Sequence, residues 1–149
     1  MHTVEQYNDT AQALPSDTCL QQLVQHSVAR YPDRVAVISE QSDYTYADLE
    51  ARANRIAHRL LALGAGRGEK VAVRIPRSFD QVATLLAVLK TGAAYVPLET
   101  GWPEARVSII LDTIAPVALV TDDPCAQGAL LPDRTVHLSA EAEQLAALP

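Results

Sequence analysis

Positive charge is in short supply in this chain. Twelve Lys and Arg residues stand against eighteen Asp and Glu, for a formal net charge of −6. No basic cluster offsets that balance, which argues against a nucleic-acid or anionic-membrane partner. Cysteine is scarce too. Cys19 and Cys125 are isolated and form no C-x-x-C spacing, so a disulfide framework and a thiolate zinc site are both excluded. Two ordinary thiols in a reducing, cytoplasmic setting are the expectation. The apolar runs are too short to span a bilayer, and Met1-His2-Thr3-Val4-Glu5 lacks the cationic and apolar pattern of a signal peptide. His2, His26, His58 and His137 are scattered, and none has a metal-type partner at i+3 or i+4. No serine sits in a G-x-S-x-G elbow and neither cysteine has a nucleophile cue. There is no internal repeat and no low-complexity tract.

What is present suits a folded domain. The chain has 149 residues, 48% hydrophobic and 20% charged, enough for one real core. Residues 1–17 are polar, contain Pro15 and read as a linker-like arm; residues 18–149 read as the domain. Thr18 and Gln21 have capping-box spacing before a helix whose apolar face is Leu20, Leu23, Val24 and Val28. Arg34–Ser39 is rich in β-branched residues and predicts a strand. Thr45 and Asp48 form a second box, opening a helix over Tyr46–Leu63. Its stripe is Leu49, Ala53, Ile56, Ala57 and Leu60, with Arg52, Arg55 and Arg59 on the wet side and Gly64 as C-terminal cap. Lys70–Ile75 predicts a strand. Ser78 and Gln81 form a third box before Val82–Leu89, which is apolar nearly all round and therefore expected to be buried. Ala94–Leu98 predicts a strand. Pro103 opens a helix with the stripe Val107, Ile110, Leu111 and Ile114. Val117–Thr121 is a further strand. Arg134–Leu138 reads as one more, and Ala140–Leu148 as a short helix capped by Ser139. Alternating strands and helices with short connections predict an α/β fold: βαβ units around a mostly parallel sheet flanked by helices.

Candidate chemistry is thin. Gly64-Ala65-Gly66-Arg67-Gly68 follows a helix and precedes a strand, the wrong polarity for a phosphate loop, so it reads as a cap and turn. Lys90 lies in the last turn of a helix, where a cation complements the carbonyl dipoles, and Gly92 supplies the left-handed turn behind it. Asp122-Asp123 and Glu99-Thr100 follow strands at the edge where doubly wound folds bind ligands, but adjacent side chains on extended backbone diverge, and a solvated loop is the plainer reading. Trp102, the only tryptophan, reads as packing rather than ligand stacking.

Two motifs carry a family resemblance. Leu89-Lys90-Thr91-Gly92-Ala93-Ala94-Tyr95-Val96-Pro97-Leu98 resembles the LKAGAAYVPL core motif of nonribosomal peptide synthetase adenylation domains. Thr45-Tyr46-Ala47-Asp48-Leu49 resembles an earlier motif of that family, and Arg52-Ala53-Asn54-Arg55-Ile56-Ala57 continues it in register. Tyr7-Asn8-Asp9-Thr10 is similar to the linker that precedes such a domain, and it favours the peptide-synthetase branch over an acyl-CoA or aryl-acid ligase. The departures are mild: Thr91 for alanine, Asp48 for glutamate, Tyr44 for leucine, Glu99-Thr100 for Asp-Pro. The resemblance implies that complete members bind ATP and magnesium, form an acyl-adenylate from an amino or carboxylic acid with loss of pyrophosphate, and pass the acyl group to a carrier-protein thiol. It also implies that the phosphates sit on a Ser/Thr/Gly-rich loop ending in Lys-Gly, which this sequence lacks. Thr45, Tyr46, Leu49, Asn54, Leu89, Lys90, Gly92, Ala94, Tyr95 and Pro97 are therefore scaffold positions; no catalytic, cofactor or metal residue transfers.

The expectation is the N-terminal lobe only of an adenylation (AMP-binding) domain: inactive alone, with no cofactor of its own, serving as a split half or docking module. Leaving about 400 Å² of apolar surface open would forgo on the order of 10 kcal/mol, comparable with a domain's stability. The expected partner is therefore another protein chain, whether the rest of the domain or a neighbouring synthetase domain, or a second copy. The alternative is a self-contained doubly wound domain that binds a nucleotide or acyl ligand at the strand C-terminal edge through Ser39, Ser78, Glu99, Thr100 and Asp123.

Overall fold

A computed structural model of the chain describes residues 10–11, 13, 18–39, 42–122 and 132–148. Helix α1 (Leu20–Arg30) leads to an antiparallel hairpin of β1 (Val35–Ile38) and β2 (Asp43–Thr45). Helix α2 (Tyr46–Ala62), β3 (Lys70–Arg74), α3 (Phe79–Thr91), β4 (Ala94–Pro97), α4 (Glu104–Ile114) and β5 (Ala118–Thr121) follow. A 3₁₀ turn (Pro132–Arg134), β6 (Thr135–His137) and α5 (Ala142–Ala146) complete the described fold. The sheet order is β4-β3-β5-β6, and every neighbouring pair is parallel. The α/β reading holds, with one refinement. The first predicted strand stays out of the parallel sheet and pairs with β2 in a two-stranded sheet of its own. The connection is too short for anything else: parallel neighbours need a crossover of a dozen or more residues, whereas a tight turn permits only a hairpin.

Strand alternation divides the core into two layers. Val71 and Val73 of β3, Ala118 and Val120 of β5 and Val136 of β6 face α2, α3 and Leu145 of α5. Ala72 and Leu119 face the other way, onto Val107 and Leu111 of α4, with Trp102 against the edge of that cluster. The expected stripe of α2 is its buried face, residue for residue: Leu49, Ala53, Ile56, Ala57 and Leu60. Helix α3 buries Ala83, Thr84, Leu86, Ala87 and Val88, as a helix apolar nearly all round must.

The helix ends follow local chemistry, with three corrections. At α2 the Thr45 hydroxyl donates to Asp48 Oδ2 at 2.7 Å, the Thr45 N–H donates to the same oxygen at 2.9 Å, and Asp48 N–H donates back to Thr45 Oγ1 at 3.1 Å. These bonds, the hydroxyl's first, hold the Asp48 carboxyl below its ordinary value of 3.8. At α1 the box lies one residue later than expected. Cys19 is the N-cap and its N–H donates to Gln22 Oε1 at 2.7 Å, because Gln22, not Gln21, stands three residues on from it. At α3 only half the box forms: Gln81 N–H donates to Ser78 Oγ, but the Gln81 side chain turns away to the carbonyl of Ile75. Ser139 does not cap α5, which starts at Ala142. Its N–H and hydroxyl go instead to Asp122 Oδ1, at 2.9 and 2.6 Å. Gly64 and Gly92 close α2 and α3 at φ +91° and +82°, where a side chain would be strained.

Strand β4 is an edge. Ala94 N–H and Leu98 N–H donate to Glu69 and Val73 carbonyls, so by alternation the Tyr95 and Pro97 backbones point outward. Pro97 thus stands where its missing N–H costs no ladder bond.

Candidate functional site

Three places bring polar side chains together: the C-terminal ends of the central strands, the contact between α2 and α3, and the groove between the hairpin and the start of α3.

The chain passes from β3 outward to β4, then returns across to β5, so the sheet's switch point lies between β3 and β5. Doubly wound folds bind ligands there. Its occupant here is Arg74, buried at 3% exposure. Its Nη1 donates to Glu104 Oε1 at 2.7 Å and its Nη2 to the Thr100 carbonyl at 3.3 Å. At the end of β5, Asp122 accepts both bonds from Ser139. Arg74 and Asp122 at these strand ends are thus bonded within the chain. Glu99 and Thr100 lie exposed beyond β4, and Asp123 lies outside the described residues. Arg106 stacks over the Trp102 ring at 4.2 Å, so Trp102 is packed, half-buried, between the core and a cation.

The two family motifs meet at the second place. Lys90 Nζ donates to Glu50 Oε1 at 2.6 Å and to Asn54 Oδ1 at 3.0 Å. The Lys90 side chain is 9% exposed and that of Glu50 20%. Lys90 does stand in the last turn of α3, and it also forms a cross-helix ion pair that its position in the sequence did not reveal. The last turn of α3 is already closed by Gly92 N–H on the Leu89 carbonyl and by the Thr91 hydroxyl on that of Val88. The long lysine stem is thereby left to reach across to α2. A second ion pair, Arg52 Nε to Asp80 Oδ1 at 2.7 Å, clamps the same two helices, and Arg59 Nε reaches Glu141 at 3.0 Å. Two of the three arginines expected on a solvated face are in fact tied down. Glu50, Glu104 and Glu141 had no helical-spacing signal to reveal them, since their partners lie 30 to 82 residues away in sequence. Of the remaining motif positions, Leu49 is buried, Tyr46 and Leu89 are half-buried, and Ala94 and Tyr95 sit exposed on the edge strand.

The third place is a groove of about 890 Å³ lined by Ile38, Ser39, Tyr44, Arg77, Phe79 and Val82, among others. It brings Ser39 and Ser78 together, as the alternative reading supposed. Both hydroxyls are spent locally: Ser39 Oγ donates to the Ser42 carbonyl at 2.8 Å, and Ser78 Oγ to that of Pro76 at 3.0 Å. Among the described residues no group of three or more His, Cys, Asp or Glu side chains could hold a metal ion. His26 and His58 are exposed, and His137 N–H donates to Glu141. No helix of the described residues is long and apolar enough to cross a membrane.

Residues 24–148 match the family described as AMP-binding enzyme. Malpinin synthetase of Mortierella alpina is 41% identical over 120 residues, 80% of this chain and 2% of that protein. A linear gramicidin synthase subunit of Brevibacillus parabrevis is 38% identical over 146 residues, 97% of this chain and 2% of that one. The chain thus spans a small fraction of the curated relatives it matches. Among solved structures, the N-terminal subdomain of NpsA from Klebsiella oxytoca superposes with a TM-score of 0.71 at 26% identity, over 87% of this chain and 33% of that one. NpsA fused artificially to ThdA, an adenylation–PCP di-domain, gives a TM-score of 0.74 at 26% identity, over 85% and 24%.

Proposed function

The chain belongs to the AMP-binding enzyme family and corresponds to the N-terminal part of a nonribosomal peptide synthetase adenylation domain; from that premise we propose that it is a scaffold for adenylation rather than a site of it. It provides the parallel sheet and the α2–α3 layer on which the rest of the lobe folds, and ATP chemistry requires residues supplied by that remainder. The observation that carries this reading is the bonding within the chain at the strand ends. Arg74, at the switch point, is paired with Glu104 and donates to the Thr100 carbonyl. An anion docking there would compete with a charge-assisted bond in which Arg74 is buried and Glu104 faces water. The partners that follow are the remaining part of the adenylation domain and, for the assembled domain, a carrier protein, in a cytoplasmic setting.

The test is calorimetry with MgATP on the chain alone, followed by ATP–pyrophosphate exchange with the chain grafted in place of its counterpart in an adenylation domain of the linear gramicidin synthase. No heat alone and exchange in the graft is the expected result. Micromolar ATP binding by the chain alone would overturn the scaffold reading and favour a self-contained nucleotide domain.

A further inference from the structure

We propose that the groove between the β1–β2 hairpin and the start of α3 is the surface that receives the rest of the adenylating lobe, through an apolar segment carrying a carboxylate toward Arg77. The inference rests on the scaffold reading above and assigns it a contact surface.

The groove presents large apolar side chains to water among polar ones. Ile38, from the hairpin, is 80% exposed and Val82, from α3, 41%, and both line the groove. The Tyr44 and Phe79 rings, stacked with centroids 3.8 Å apart, form part of its lining. Large apolar side chains gathered on a concave surface mark a binding site, whereas isolated ones do not. The polar rim is unbalanced. Asp80 is committed to Arg52 at 2.7 Å, while Arg77 is exposed and has no ion pair among the described residues. The rim therefore favours an acidic group on whatever docks. The hairpin points the same way. Among the described residues β1 pairs with β2 alone; Ala36 and Val37 pack on the core, while Val35 and Ile38 stay exposed.

The occupant follows from size and charge. This chain spans 33% of the solved NpsA N-terminal subdomain, so about two thirds of such a unit remains to be packed against it. A second copy set groove to groove would bring two basic rims together, a like-charge contact that an isologous interface repeats on both sides.

The experiment compares melting of the isolated chain with melting of the gramicidin synthase graft. Ile38→Asp is expected to shift the isolated chain by less than about 1 °C, since the side chain already faces water. In the graft it is expected to lower the melting temperature by about 5 °C or more, because a charge would then be buried. Arg77→Glu is expected to behave the same way with a smaller shift. Ile109→Asp, on α4 away from the groove and 67% exposed, is the control for a merely exposed position. Equal shifts for Ile38→Asp and Ile109→Asp in the graft would overturn the proposal. So would light scattering that finds the isolated chain dimeric and Ile38→Asp monomeric, since the occupant would then be a second copy. A graft that folds but exchanges no pyrophosphate sinks the scaffold function and leaves the melting comparison to judge the groove. A graft that cannot fold overturns both.

Discussion

The two halves of the molecule are built to different standards. From α2 to β5 the chain buries itself: four of the five residues of β3 and all four of β5 are inaccessible, and α2 and α3 each bury five. In the preceding stretch α1 buries none, and β1 and β2 bury none. Both stretches have the periodicity of ordinary elements. The difference lies in what stands opposite. The sheet residues have α2 and α3 on one side and α4 on the other. The hairpin has a partner on one side and water on the other. One half is packed on both faces apart from its edge strand β4, and the other leaves Val35 and Ile38 facing water.

Breaking the comparison at its strongest point gives the largest effect. Leu60→Ala, at 0% exposure, is expected to cost about 3 kcal/mol by urea unfolding, while Ile38→Ala, at 80%, stays within about 0.5 kcal/mol in the isolated chain. Comparable losses at the two positions would mean that the hairpin is as well packed as the sheet.

The ion pair between the family motifs is expected to rank next. Lys90→Met strands Glu50 beside α3, with its Oε2 already lacking a hydrogen bond, and should cost roughly 2 kcal/mol, less than a fully buried pair because Glu50 is 20% exposed. The double variant Glu50→Met/Lys90→Met should recover most of that loss, since an apolar pair replaces the ionic one. A double-mutant cycle with no coupling would show that the two side chains act independently.

The smallest expected effect is at the entrance to α2. Thr45→Ala removes the cap and should cost about 1 kcal/mol. It should also flatten the acid limb. The Asp48 carboxyl lies below its ordinary value of 3.8, so its contribution is present above the unfolded value and is lost as pH falls through the folded one. Thermal unfolding from pH 5 downward should therefore show the advantage of wild type over Asp48→Asn shrinking below about pH 4. A constant difference across that range would rule out the capping carboxylate as its source.

How much was legible depends on range. The stripe of α2, the enclosure of α3, the positive φ at Gly64 and Gly92 and the packing of Trp102 are all local, set by spacing within one element or by a residue's own steric freedom. The bonding at the switch point was not legible. Glu99 and Thr100 drew attention because they follow a strand, yet the buried group at that edge is Arg74, held by a helix thirty residues on. The last-turn position of Lys90 is local and legible; its bond to Glu50 is not, because a lysine stem samples many directions and only the packing of α2 selects one.

The sequence by itself determined every described helix and strand but the short β2, their order, the parallel sheet and the family, because hydrophobic period, caps and turn glycines act over a few residues. Tertiary structure alone decided which charges pair, which strand stays outside the sheet and which apolar surface is left open. Those outcomes depend on the distance between groups far apart along the chain, and folding, not spacing, sets that distance.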